Sequence, residues 1–214
     1  MRYNGGANAG HSVNIGNRRY VLHQIPIGCL TPNKNNILAQ GVVISPDEII
    51  EEINTLQQAG VDLSGLKISN KAHVVMPYHL LEEQMRNRLT QRELGSEFCL
   101  GTTQKGIGLC YADKANRDTA IRVCDLFNPQ QLQHRLRYIC ALKNSSLGAL
   151  AADLKMSFTA YNPDALATQC QQWAQKLASY VCDTGEFLQQ QNQILFEGAN
   201  AAMLDIDNGT YPYV

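Results

Sequence analysis

The sequence predicts an α/β fold with three layers, in which a mostly parallel central sheet has flanking helices. Short apolar segments typical of strands alternate with segments of helical spacing, in the order βαβα over residues 37–95. The chain has 214 residues, of which 44% are hydrophobic, enough to bury the core of one domain. We therefore expect a single domain over residues 1–214.

The first elements are predicted by their turn and cap residues. A Gly-Asn pair at residues 16–17 separates two extended stretches, which predicts a hairpin because this pair tolerates positive φ. Residues 37–44 are apolar and β-branched and predict one strand. The sequence SPDE at 45–48 predicts a helix that begins with a capping box, and Gly60 is placed to end it.

The later elements follow the same rules. Further strands are predicted from short apolar runs, at residues 66–69, 72–76 and 194–196. Further helices are predicted from a proline at the first helical position, at residues 77, 129 and 163. Asn128 and Asn162 precede two of these prolines as favoured N-caps. We expect these helices to serve packing rather than chemistry.

Composition excludes several classes of protein. With 18 basic and 19 acidic residues the net charge is -1, which gives no bulk attraction for nucleic acid or an anionic membrane. The seven cysteines are scattered and include no C-x-x-C pair, so neither a disulfide framework nor a zinc site is predicted. With no signal peptide and no apolar run long enough to span a bilayer, the sequence predicts a cytoplasmic protein.

Residues 5–11 (GGANAGH) form the first candidate site. Their glycines permit positive φ, from which successive amides can point at an anion, and His11 adds an imidazole at the edge of the loop. This pattern suits a phosphate group. The alternative is a flexible glycine-rich tail at the end of the chain.

Residues 101–108 (GTTQKGIG) form the second candidate site. They supply two hydroxyls, a lysine and three glycines, although not in the order of a P-loop. Lys114, Arg117 and Arg122 follow and offer charge-assisted contacts to a phosphate. The alternative for each of these cations is an ordinary solvated surface position.

The third candidate site comprises Glu197, Asp205 and Asp207 together with Asn200. Carboxylates on a loop after a strand can bind Mg²⁺ or ribose hydroxyls, and an asparagine can read a purine edge. The alternative for the aspartates is the capping of local turns. Because both ends of the chain lie within such loops, we expect it to be a middle portion of a larger enzyme.

Taken together, these segments resemble adenylosuccinate synthetase. The resemblance is carried by NAGH at 8–11, by GTT and GIG at 101–108 with Tyr111, and by FEGAN at 196–200 with the following residues through Val214. Supporting motifs extend it over essentially the whole chain. The sequence departs from the family pattern at Ile27, at Gln104-Lys105 and at Leu109, where serine, glycine-arginine and proline are usual.

The resemblance implies a ligase of AMP biosynthesis that uses GTP and Mg²⁺. The family phosphorylates the 6-oxygen of inosine monophosphate (IMP), after which the amine of L-aspartate displaces phosphate to give adenylosuccinate. It also implies a homodimer, with no nucleic-acid or membrane partner. The resemblance covers neither the family's N-terminal Gly-Asp-Glu-Gly-Lys-Gly-Lys loop, which contacts GTP and Mg²⁺, nor its C-terminal half, so we expect very low activity from this chain alone.

The resemblance also assigns roles to residues of this chain. His11 would stabilise the transferring phosphoryl group, and Gly10 would lie against GTP and coordinate Mg²⁺. The IMP-binding residues would be Asn8, Thr103, Arg117 and Asn200, with Thr103 on the phosphate and Asn200 near the purine 6-oxygen. Arg117 would reach the phosphate from the neighbouring subunit.

Three interpretations stay open from the sequence. The first is a ligase of this family, impaired by truncation. The second is a non-catalytic nucleotide-binding or subunit-interaction module, or one half of a split enzyme that a second polypeptide completes. The third is a gene fragment without a biochemical role.

Overall fold

The computed structural model describes residues 1–214 and divides the strands among three small sheets. One is an antiparallel hairpin of β1 (His11–Ile15) and β2 (Arg18–Leu22), with Ile15 opposite Arg18. The turn is therefore the predicted Gly-Asn pair, and Gly16 has a φ of 57° there. This hairpin projects directly from the loop that forms the first candidate site.

A three-stranded parallel sheet contains β3, β5 and β7 in that spatial order. These strands span Asn36–Leu38, Leu66–Ser69 and Val181–Cys182. Arg2 extends the sheet at β3, because it makes parallel bridges to Leu38 on one side and to Glu197 on the other. The start of the chain is thus held between the sheet and the third candidate site.

Residues 37–44 do not form the single strand that their composition predicts. The chain turns after β3, where Val42 N–H donates to Ala39 O at 3.0 Å, and then forms β4 (Val43–Ile44). Strand β4 pairs in parallel with β6 (His73–Val74) in a separate sheet. Gly41 permits the turn, since a Cβ there would collide with the backbone of Tyr3.

Residues 194–196 are also not a strand, contrary to prediction. Leu195 and Phe196 are 86% and 61% exposed, and the following Glu197 makes one isolated bridge. Their backbone is held only by the start of the chain, where Met1 donates to Leu195 O at 2.7 Å. An apolar run without a buried face has no packing to fix it as part of a sheet.

Six α-helices accompany these strands. They are α1 (Pro46–Gln58), α2 (Pro77–Glu93), α3 (Ile107–Asn116), α4 (Pro129–Asp153), α5 (Pro163–Leu177) and α6 (Thr184–Gln189). The side chains of Asn128 and Asn162 cap α4 and α5, as predicted. Gly60 follows the end of α1 with a φ of 82°, also as predicted.

The predicted capping box of α1 is wrong. The Ser45 side chain makes no capping hydrogen bond. Instead the backbone of Ser45 pairs with the side chain of Gln24, donating at 2.8 Å and accepting at 3.1 Å. The amide of Gln24 thereby satisfies the backbone N–H and C=O of Ser45, as the backbone of a neighbouring strand would.

The main core packs the strands against helices, with Ile44, Ile49, Leu136 and Trp173 all buried. The predicted α/β fold of mostly parallel strands with helices is confirmed. All seven cysteines are free. None of the helices has both the length and the apolar character needed to cross a membrane.

Candidate active site

The loop of residues 5–11 lies against the segment that begins at Glu197. Glu197 N–H donates to Met1 O at 2.8 Å, and Ala199 N–H donates to Asn4 Oδ1 at 3.1 Å. The Ala199 side chain occupies the space beside Gly5, whose φ of 75° suits only glycine comfortably. Two candidate sites from distant parts of the sequence therefore form one surface.

His11 and Glu197 face each other across this surface. The Nε2 atom of His11 is 3.9 Å from Oε1 of Glu197, and the two side chains are 33% and 22% exposed. His11 Nε2 is shielded from solvent and makes no hydrogen bond. The other Glu197 oxygen accepts the Ile27 N–H at 3.0 Å, which fixes the carboxylate. The imidazole nitrogen therefore has no hydrogen-bond partner within the chain, and a carboxylate lies beside it.

Arg2 contacts the same loop from the buried side. The sequence alone does not distinguish this arginine from a surface cation. Its side chain is buried, and its guanidinium donates to the carbonyls of His23 and Gly6. Burial lowers the pKa of Arg2, while Glu197 and Glu52 act to raise it. A buried cation thus underlies a loop whose outer face carries the candidate ligand contacts.

Tyr111 ties the loop to α3. Its hydroxyl accepts the Gly5 N–H at 2.9 Å and donates to Gly41 O at 2.7 Å. Burial raises the pKa of Tyr111 above its ordinary value. Lys114 lies over the Tyr111 ring and donates to Gln40 O at 3.2 Å, so it stabilises this junction.

The second loop meets the first at the start of α3. Gly106 has a φ of 72° and immediately precedes Ile107, whose side chain would lie 2.7 Å from a Cβ on Gly6. Gly106 N–H donates to Glu83 at 2.6 Å, and Lys105 pairs with Glu48 at 2.9 Å. Thr103 is exposed on this loop. The lysine of the loop is therefore paired within the protein, whereas Thr103 is exposed.

Arg117 lies at the opposite end of α3 from this loop. The helix has 10 residues, so about 15 Å separates its two ends. Arg117 is exposed, with φ 72° and ψ -41°, and the Asp118 N–H donates across it to Asn116 O at 2.9 Å. This tight turn is strained for a residue with a Cβ. The structure does not bring Arg117 to the site of its own chain.

The other predicted ligand residues stand around the first loop. Asn8 Oδ1 accepts the Gly6 N–H at 3.2 Å, which shapes the loop, and Gly10 is exposed beside the His23 ring. Asn200 is exposed directly after Ala199.

Asp205 of the third segment has a local role. Asp205 accepts the N–H groups of Asp207 and Asn208 at 3.0 and 2.8 Å, so the turn-capping interpretation is correct for Asp205. These bonds lower the pKa of Asp205. No three His, Cys, Asp or Glu side chains lie together as a metal site would require.

A buried polar cluster holds α3 in place and was not anticipated from the sequence. His79 Nε2 donates to Asp113 at 3.0 Å, and Lys143 donates to Asp113 and Glu82 at 3.2 and 3.0 Å. His79 Nδ1 accepts the Met76 N–H, so the ring is neutral, and burial lowers its pKa. The cluster borders a cavity of about 530 Å³ between α2, α3 and α4.

Comparison with known proteins gives one consistent result. The family model for adenylosuccinate synthetase matches residues 1–214. Curated adenylosuccinate synthetases of Lactobacillus johnsonii and Caldicellulosiruptor saccharolyticus are 40% and 41% identical over 100% of this chain. The structure of fully ligated adenylosuccinate synthetase from Plasmodium falciparum superposes with a TM-score of 0.82 at 33% identity, again over 100% of this chain. The chain spans about half, 48%, of the length of each of these proteins.

Proposed function

Since the chain belongs to the adenylosuccinate synthetase family, we propose that it carries part of a ligase site that joins IMP to L-aspartate at the expense of GTP. In this reaction the γ-phosphoryl group of GTP passes to the 6-oxygen of IMP, leaving GDP. The aspartate amine then attacks carbon 6 and phosphate leaves, which gives adenylosuccinate. The observation that carries the proposal is the unpartnered Nε2 of His11 beside Glu197, at the end of a loop rich in backbone amides.

His11 fits the phosphoryl-transfer step. Such transfer is catalysed mainly by positioning and by donors that face the developing negative charge. An N–H at Nε2 of His11 would donate to a phosphoryl oxygen, and the Glu197 carboxylate lies 3.9 Å from that nitrogen. His11 is therefore the catalytic residue of this proposal.

The IMP contacts come from the surrounding loops. Thr103 would bind the phosphate of IMP with its hydroxyl, Asn200 would place its amide at the purine 6-oxygen, and Asn8 would shape the intervening loop. Arg117 would complete the phosphate site of a second subunit, since its strained, exposed turn is about 15 Å from the Thr103 loop of its own chain. The proposal therefore includes a homodimer. From the family resemblance, we also propose that it acts in the cytoplasm.

Magnesium is not held by a preformed cluster of side chains in this chain. Mg²⁺ commonly binds through one or two protein groups together with substrate phosphates and water. The only protein ligand that the resemblance gives here is the backbone of Gly10, which is exposed at the loop. We therefore propose that Gly10 would contribute one protein ligand to Mg²⁺, and the bound ion would offset the negative charge of the phosphates during phosphoryl transfer.

One observation favours a second candidate, that of a half-enzyme completed by another polypeptide. Large apolar side chains are exposed along the last segment, including Leu195 at 86%, Ile206 at 69% and Tyr211 at 75%. Large exposed apolar side chains concentrated in one segment are consistent with a surface that another polypeptide covers. In this candidate the covering polypeptide supplies the remaining substrate contacts.

Equilibrium dialysis with radiolabelled IMP tests the proposed site, with inosine as the matched control because it has the same base and no phosphate. The proposal predicts saturable IMP binding and at least tenfold weaker inosine binding, since charge-assisted phosphate contacts are the strong ones. Equal binding of the two compounds, or none of IMP by the folded chain, would refute the proposal.

A further inference from the structure

Glu52 is a buried carboxylate that the proposed reaction does not use. It lies on α1, is 8% exposed, and accepts three consecutive backbone N–H groups. Oε1 accepts from His23 at 2.9 Å and from Ile25 at 3.2 Å, and Oε2 accepts from Gln24 at 3.0 Å. Successive amides that converge in this way form an anion site, which is occupied here by a side chain of the same protein.

The segment that Glu52 binds touches the first loop in two places. The carbonyl of His23 accepts from the guanidinium of Arg2, which also donates to Gly6 O at 3.3 Å. The ring of His23 packs against Gly10, where a Cβ would lie 3.1 Å from Cε1. One contact therefore lies near the start of the loop and the other lies immediately before His11.

We propose that Glu52 is the positioning residue of the candidate active site. By fixing residues 23–25 it places the Arg2 guanidinium and the His23 ring, and through them it sets the loop that ends at His11. Its consequence for nucleotide binding rests on the proposed function, whereas its consequence for the loop does not. Glu52 and Arg2 also attract each other electrostatically, which reinforces the arrangement.

A purely structural role for Glu52 in anchoring α1 makes a different prediction. The indole N–H of Trp173 on α5 donates to Asp47 on α1 at 2.6 Å. General loosening of α1 would therefore expose this indole N–H to exchange. A positioning role would instead confine the change to the loop of residues 5–11.

The test is Glu52→Gln, with Glu51→Gln on the same helix as the control because Glu51 is exposed. The glutamine keeps one acceptor oxygen but turns an NH₂ group toward an amide donor. Hydrogen exchange followed by NMR should show at least tenfold faster exchange at Gly5 and Gly6 in Glu52→Gln. The Trp173 indole N–H should stay within twofold of wild type, and Glu51→Gln should be unchanged throughout.

IMP affinity, measured on the same samples, should fall at least tenfold in Glu52→Gln only. Unchanged exchange at Gly5 and Gly6, or equal acceleration at Trp173, would overturn the positioning role. If Glu52→Gln does not fold, the same measurements on Glu52→Asp test the positioning role. Aspartate keeps the charge, but its side chain is one methylene group too short to accept all three N–H groups in the same way. Absence of IMP binding by the wild-type chain would refute the proposed function, while the exchange comparison would still decide the role of Glu52.

Discussion

Oε1 of Glu197 lies 3.9 Å from Nε2 of His11, and this pair joins the first and last loops of the chain into one site. The same carboxylate accepts the Ile27 N–H at 3.0 Å through its other oxygen. One side chain therefore organises three segments that are far apart in sequence.

Removal of this carboxylate should loosen the junction. Glu197→Ala leaves the Ile27 N–H without its protein acceptor, and we expect the free energy of unfolding to fall by about 1 kcal/mol. Glu197→Gln retains an acceptor oxygen and should lose less than half of that. Urea unfolding of the two variants measures the difference, and equal losses would show that the Ile27 bond does not contribute.

The Tyr111 hydroxyl should contribute more to stability than an exposed hydroxyl. Tyr111→Phe leaves the ring in place but removes the partner of Gly5 N–H and Gly41 O, so we expect a loss of about 1–3 kcal/mol in the free energy of unfolding. Tyr138→Phe is the control, because the Tyr138 hydroxyl donates to Asp118 at an exposed position and its removal should cost much less. Similar losses in both variants would contradict a specific role for Tyr111.

Backbone strain at Arg117 predicts that glycine is more stable than alanine at this position, the reverse of the order expected within a helix. With a φ of 72°, Arg117→Gly should be more stable than Arg117→Ala by about 0.5–1 kcal/mol, because glycine relieves the strain. At the neighbouring Asn116, which ends α3, the alanine variant should be the more stable by a similar amount. Thermal unfolding of the four variants compares them, and the same order at both positions would rule out strain at Arg117.

His73 should make the protein less stable in acid. Burial, followed by the charges of Lys114, Arg122 and Arg135, lowers the pKa of His73 from 6.5 to about 4. Between these values the unfolded chain binds a proton that the folded chain does not, so the free energy of unfolding falls as the pH falls through this window. Below about pH 4 both states are protonated and the His73 contribution to the pH dependence ends.

The size of this effect is about 2–3 kcal/mol between pH 7 and pH 4. Urea unfolding at several pH values should therefore show a shallower acid loss in His73→Asn than in wild type. His134→Asn is the control, because it makes the same side-chain change at an exposed position. Identical profiles for all three proteins would contradict the lowered pKa of His73.

The sequence predicted the elements whose signals are local. The Gly-Asn hairpin turn and the Asn-Pro starts of α4 and α5 depend on residues within one turn of each other, and these predictions are confirmed. The division of residues 37–44 was missed because it depends on the backbone of Arg2 and Tyr3, which only the folded chain brings near.

The candidate site residues also divide into those that a local sequence pattern indicates and those that only long-range contacts reveal. His11 was singled out as a candidate from a local glycine-rich pattern, whereas its closeness to Glu197 required the folded structure. Arg2 and Glu52 escaped notice because charged residues are usually exposed, and only their buried partners distinguish them.

The most direct test of the proposed IMP site is a calorimetric titration of the folded chain with IMP, repeated with Mg²⁺ and GTP. The variants are Arg117→Ala and, as the control, Arg88→Ala, which removes another exposed arginine. We expect saturable binding that weakens about tenfold in Arg117→Ala, because one charge-assisted phosphate contact is lost, and that is unchanged in Arg88→Ala. No binding by the folded wild-type chain, or equal binding by all three proteins, would contradict a phosphate site completed by Arg117 of a second subunit.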